Sequence, residues 1–264
     1  MPSQKAGNEI IKISHSKGQI KLFLLDEEIT LSENSFTDFT LYEGKKLTAK
    51  EVDSIKEASR LDPLQKYALS CLSKGSLSEK ELGEKLYRRG ARKLEVYTIA
   101  KNLKKAGLLD DEAYAREFAQ EVADFRLYGR NKIVFELRKR GIADKLIQDV
   151  LPSEEKEKQK AERYLETLGK KLAHENSRRR RQKAFQALVT RGFEEGLSHS
   201  LADSLPDNEA SSEREKLQVE YDKAKLRYSR KHSGYQLRQK LSAYLLSRGY
   251  SYEDINSLIQ EDEL

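Results

Sequence analysis

The chain has no tryptophan, a single cysteine, a single methionine and four prolines among 264 residues. One cysteine excludes an internal disulfide framework and any multi-cysteine zinc site, and the setting of Cys71 in Ala68-Leu69-Ser70-Cys71-Leu72 reads as core filling on a helix. No apolar run approaches the ~18 to 20 residues of a membrane span, and Met1-Pro2-Ser3-Gln4-Lys5 lacks the apolar core of a secretion signal. A cytoplasmic protein with no membrane partner is expected. Hydrophobic residues are also scarce, at 37% against 36% charged. That is too little for one thick core and predicts several small ones strung along a surface-rich chain.

Charge is what the chain has in quantity: 50 basic and 44 acidic side chains leave a net +6. The excess is localised. Residues 62–112 and 153–205 each carry +3 and residues 113–152 carry +2, whereas residues 1–61 and 206–264 are each at −1. Two clusters stand out: Arg178-Arg179-Arg180-Arg181 with Lys183, and residues 126–140, where six cations face only Glu136. Such clusters attract a polyanion or an acidic protein surface, although a solvated helix face is the plain alternative.

In the first 45 residues, short β-branched runs (Ile10–Ile13, Ile20–Leu25, Ile29–Leu31) separated by Gly18 and Asp26-Glu27-Glu28 predict a small β-meander. Ser32 can open a short helix carrying Phe36, and Thr48 with Glu51 has capping-box spacing. Beyond Thr48 apolar residues recur at three- and four-residue intervals to the end, so the remainder should be helical.

That helical part repeats. Leu-x-x-Arg-Gly occurs with Arg89-Gly90, Arg140-Gly141, Arg191-Gly192 and Arg248-Gly249, the glycines 51, 51 and 57 residues apart. Each motif ends one helix and starts another, and a further helix precedes it, at residues 63–72, 112–125, 160–172 and 213–228. The fold class expected is mainly α: tandem three-helix repeats in an elongated curved array, after a small N-terminal β-containing domain. The boundaries drawn are 1–61 for the β-hairpin or meander plus helix, then 62–112, 113–152, 153–205 and 206–264 for the four repeats.

The arginine and glycine of the motif read as a helix stop: glycine takes the left-handed conformation and arginine complements the helix dipole. Better candidates for partner contact lie off the apolar stripe: Arg130, Lys132, Arg138, Lys139, Arg178, Arg179, Arg181, Lys183, Arg238 and Lys240. Three copies share a basic pair eleven and nine residues before the glycine (Arg130 and Lys132, Arg181 and Lys183, Arg238 and Lys240), which implies a periodic partner surface; the first copy has Glu79 and Glu81 there.

A DNA-reading helix-turn-helix is disfavoured, because the helix after the turn is neutral or acidic in three copies; only the first, with Arg92, Lys93, Lys101, Lys104 and Lys105, would suit. Backbone contact with nucleic acid stays open. His15, His174, His199 and His232 are scattered in polar stretches, Asp110-Asp111-Glu112 reads as a helix cap, and no phosphate-binding glycine loop occurs. No catalytic residue, metal ligand or cofactor site is assigned, and an enzyme is not expected.

Two segments carry a family resemblance. Leu103-Lys104-Lys105-Ala106-Gly107-Leu108-Leu109-Asp110-Asp111-Glu112-Ala113-Tyr114-Ala115 resembles the L-x-x-x-G-[LY]-[LI]-[DN]-D-x-x-[FY]-A signature of the RecX regulators of the recombinase RecA. Residues 132–142, from Lys132-Ile133 to Gly141-Ile142, resemble that family's K-I-x-x-E-L-x-x-K-G-I. The resemblance extends from about residue 62 to the end, and the β-containing extension with an extra repeat is similar to the long Gram-positive form. The last two copies lack the Asp-Asp signature. The resemblance implies a monomeric, non-enzymatic protein of recombination, DNA repair and the SOS response. Such a protein would bind in the groove of the RecA filament on single-stranded DNA, restrain ATP hydrolysis and strand exchange, and promote disassembly. Two other readings remain: a stand-alone nucleic-acid-binding protein without sequence preference, and a helical-repeat adaptor for another acidic protein.

Overall fold

The computed structural model describes residues 8–16 and 18–262, so Met1 to Lys5 lie outside the described residues. β1 (Lys12–Ser16), β2 (Gln19–Phe23) and β3 (Glu28–Ser32) form an antiparallel meander in the order β1-β2-β3. The register sets Ile20 opposite Leu31 and Leu22 opposite Ile29. Strand alternation thereby gathers these four on one face, where they bury with Val52 and Ile55. Ser32 caps α1 (Glu33–Thr37), and the Thr48–Glu51 capping box opens α2 (Ala49–Leu72).

The helix expected at residues 63–72 is the second half of α2, a single 24-residue helix with Pro63 inside it, so the line drawn between residues 61 and 62 falls within one helix. Proline in a helix interior forfeits a backbone bond and costs about 3 kcal/mol. Both sides of Pro63 are anchored. Val52 and Ile55 belong to the sheet's core, Ala68 belongs to the next core, and the Asp62 carboxylate accepts from the Ser32 amide and the Ser32 and Ser35 hydroxyls.

The remaining helices follow in threes. α3 (Glu79–Arg88) and α4 (Lys93–Lys105) join the end of α2; α5 (Asp111–Glu121), α6 (Arg130–Lys139) and α7 (Asp144–Val150) come next. Then come α8 (Glu154–Lys171), α9 (Ser177–Thr190) and α10 (Glu195–Asp203), and finally α11 (Ala210–Tyr228), α12 (Gly234–Ser247) and α13 (Tyr252–Glu261). The helix expected at residues 112–125 departs in detail: α5 passes into a π-helical turn at Val122–Arg126, and Leu127 follows at φ +47°, alone among the described non-glycine residues in having positive φ.

The described chain makes two compact units: residues up to Tyr114 with Arg140–Ile142, and Ala115–Lys139 with the chain from Ala143 on. The first holds the sheet core and a core of α2, α3 and α4 around Leu82, Leu86 and Ile99; Cys71 packs half-buried against the latter. The second holds separate cores for α8–α10, around Leu188 and Phe193, and for α11–α13, around Leu241 and Ile255.

Each middle helix stops in the same way. Gly90, Gly141, Gly192 and Gly249 have φ between +81° and +92°. In three of the four, the amide after the glycine reaches back to the leucine of the motif: Ala91 to Leu86, Phe193 to Leu188 and Tyr250 to Leu245. This is the six-to-one bond of a Schellman stop.

Candidate partner interface

A joint recurs three times, twice in the second unit and once in the first. The start of a middle helix docks on the carbonyl of a later Arg-Gly arginine: Ser78 Oγ donates to Arg140 O (2.7 Å), Gly129 N to Arg191 O (3.0 Å) and Asn176 Nδ2 to Arg248 O (2.8 Å). A carboxylate from a following helix satisfies the exposed amides beside each joint. Asp111 accepts from Glu79 N (2.8 Å), Glu157 from Arg130 N (2.9 Å) and Glu213 from Ser177 N (2.6 Å).

These joints consume several of the cations singled out in the sequence. Arg130 donates to Pro152 O (2.7 Å) beside the buried Glu157 carboxylate, and Arg181 donates to Leu205 O and pairs with Asp207 (2.8 Å). Both guanidiniums clamp the chain leaving the third helix of their own triplet, which gives the recurrence of these two arginines an internal role. Arg179 and Lys183 converge on Glu175. Burial pushes the Glu175 carboxyl up, but Lys183, Arg179 and His174 together hold it below the ordinary range.

Lys132, half-buried, pairs with Glu136 (3.4 Å). The others face outward: Arg138 pairs with Asp144 (2.7 Å) at the surface, and Lys139 is exposed. Arg178, Arg238 and Lys240 are exposed and make no hydrogen bond or ion pair with another described residue. In the first unit, Glu79 and Glu81, at the places of the basic pair, are themselves engaged, with Lys104 (2.6 Å) and with Arg140 (3.5 Å).

The motif arginines also lie against tyrosines, a contact no spacing in the chain announced. Arg89 sits 4.4 Å from the Tyr67 ring centre, Arg191 4.8 Å from Tyr164, and Arg248 4.9 Å from Tyr244. Arg140 instead meets Glu81 and the Tyr114 hydroxyl; burial and the Glu81 charge push that phenol up to about 12. A tyrosine 28 residues before Gly192 and 27 before Gly141 could have pointed to the Arg191 and Arg140 contacts, but the tyrosine 28 before Gly249 is Tyr221, not the Tyr244 that Arg248 meets. Among the described residues, no group of His, Cys, Asp and Glu is placed to hold a metal, and no helix is long and apolar enough to cross a membrane.

Family models for the second and third three-helix domains of RecX match residues 110–151 and 212–259. The regulatory protein RecX of Streptococcus gordonii is 27% identical over 95% of this chain and 99% of its own length, and that of Lactobacillus johnsonii is 28% identical over 95% and 94%. A crystal structure of a regulatory protein RecX superposes with a TM-score of 0.64 at 27% identity, covering 74% of this chain and 99% of that one. Three-helix domains matched in two places, near full-length alignment with the curated relatives and a shared fold converge on one conclusion: the chain carries RecX three-helix domains and is similar to RecX regulatory proteins along nearly its whole length.

Proposed function

We propose that this chain regulates RecA by lying in the groove of its filament on single-stranded DNA. There it restrains ATP hydrolysis and strand exchange and promotes disassembly, acting as a cytoplasmic monomer without chemistry of its own. The observation that carries the reading is the set of exposed cations on successive middle helices: Arg138 and Lys139 on α6, and Arg178 on α9 with Arg238 and Lys240 on α12, the last three unpaired. A filament offers acidic protein surface and phosphate at regular intervals, and cations spaced by tandem helices suit such a partner. The proposed contact set is Arg130, Lys132, Arg138, Lys139, Arg178, Arg179, Arg181, Lys183, Arg238 and Lys240, of which Arg130 and Arg181 also hold the fold together.

The test is ATPase and strand exchange by the cognate RecA on single-stranded DNA, with this protein added well below one per RecA. Inhibition is expected, and changing Arg178, Arg238 and Lys240 together to Ala should weaken it with no loss of thermal stability. An untouched filament at these ratios overturns the reading.

A further inference from the structure

The second unit carries an alternation of rings and cations. Lys132 Nζ lies 5.1 Å from the ring centre of Phe135 and 5.9 Å from that of Tyr128; the Arg191 guanidinium lies 5.6 Å from Tyr128 and 4.8 Å from Tyr164. The series Phe135, Lys132, Tyr128, Arg191, Tyr164 therefore runs unbroken from α6 to α8. Its inner end is packed, since Tyr164 stacks on the buried Phe193 at 6.4 Å. The outer end is open: Phe135 is 58% exposed and borders a shallow groove of about 460 Å³ with Asn131, Val134, Arg138 and Lys139.

We propose that this outer end binds single-stranded DNA, with a base stacked on the free face of Phe135 and the adjoining phosphates held by Lys132, Arg138 and Lys139. An exposed ring set among cations matches the two faces of a nucleotide, an apolar π-surface and an anion, in one groove. A duplex keeps its base faces inside the stack and cannot use the ring. An acidic peptide would satisfy the cations and leave Phe135 without a matching surface. The Arg138–Asp144 pair is a weak competitor, since it is exposed on both sides and such pairs exchange readily for phosphate. Asn131 adds an amide that can meet a base edge. The proposal rests on the RecA reading only for its choice of DNA over RNA. Because it is tested without RecA, either can fail alone.

The experiment is fluorescence anisotropy of the full chain with labelled oligo-dT and with an abasic oligomer of equal length, across a salt series. The intact protein should prefer oligo-dT by about tenfold, the scale of one stacked base. Phe135→Ala should abolish that preference while leaving abasic binding unchanged, and Phe135→Trp should keep it. Arg138→Gln should weaken both ligands alike and flatten the salt dependence. Exposure of Phe135 makes misfolding avoidable, and a thermal melt of each variant checks it. Equal affinity of the intact protein for the two oligomers, or unchanged oligo-dT binding by Phe135→Ala, overturns the proposal.

Discussion

The side-chain amide of Asn176 donates to the backbone carbonyl of Arg248, 2.8 Å away and 72 residues later in the chain. The same side chain accepts from Arg179 N at 2.8 Å and caps α9, so one buried residue both starts a helix and ties it to the end of α12. Asn176→Ala removes both bonds and should cost about 2 kcal/mol. Asn176→Asp keeps the cap acceptor but sets a carboxylate against the Arg248 carbonyl. Hydrogen exchange should then show α12 opening in both variants, with the first turn of α9 frayed only in the alanine form.

The glycines of the four stops should not be equally tolerant. At Gly90 a methyl group meets nothing within 4 Å, so Gly90→Ala carries only the left-handed backbone penalty of about 1–2 kcal/mol. At Gly192 the methyl would overlap the backbone nitrogen and Cβ of Lys132, and Gly192→Ala adds a backbone clash to the same penalty. Gly141→Ala meets Lys80 Cβ at 2.8 Å and falls between them. Denaturant midpoints should rank the variants Gly90→Ala, Gly141→Ala, Gly192→Ala in increasing damage.

Acid should loosen the segment around α9. The folded Glu175 carboxyl is held below its ordinary value of 4.5, so its contribution is fully present above that pH and disappears as pH falls through the depressed folded value. Glu175→Gln leaves Lys183 and Arg179 without their shared counter-charge and should cost about 1–3 kcal/mol at neutral pH. The difference from the unaltered protein should vanish in strong acid, as read from thermal melts across the acid range.

Tyr114 supplies the alkaline counterpart. With its phenol raised from 10 to about 12, the folded chain keeps a proton that the unfolded chain has already lost, so stability falls as pH rises across that interval. Burial also pushes the Tyr221 and Tyr250 phenols up, so ultraviolet titration should show several late-ionising tyrosines, and Tyr114→Phe should remove one tyrosine's worth of that late phase. An unchanged late phase in that variant would move the assignment to another buried tyrosine.

What could be read from the chain, and what could not, divides along the range of the interaction. Thr48 with Glu51 and the four Arg-Gly stops are local devices, closed within a few residues, and the helices they delimit follow from apolar spacing. The helix drawn from residue 63 begins earlier, at Ala49, because Pro63 is held inside one helix by anchors on both sides, two of them on residues about thirty positions earlier. The basic pairs were legible as a recurrence but not in their destination. Arg130 and Arg181 end on backbone carbonyls 22 and 24 residues away, and a carbonyl leaves no mark in a sequence. For the same reason spacing does not show that Asp111, Glu157 and Glu213, acids in the first turns of their own helices, each also cap a helix from an earlier triplet.

The unbroken run of α2 from the β-sheet core into the first helical core bears on how this chain can be shortened. Cutting at residue 61 would strip Val52 and Ile55 from one end of a rod whose other end holds Ala68, and would leave Pro63 as a fraying start. A truncation meant to isolate the helical repeats therefore has to begin before Thr48 and bring the helix whole, together with the strands that cover its apolar face; anything shorter damages the first repeat along with the sheet.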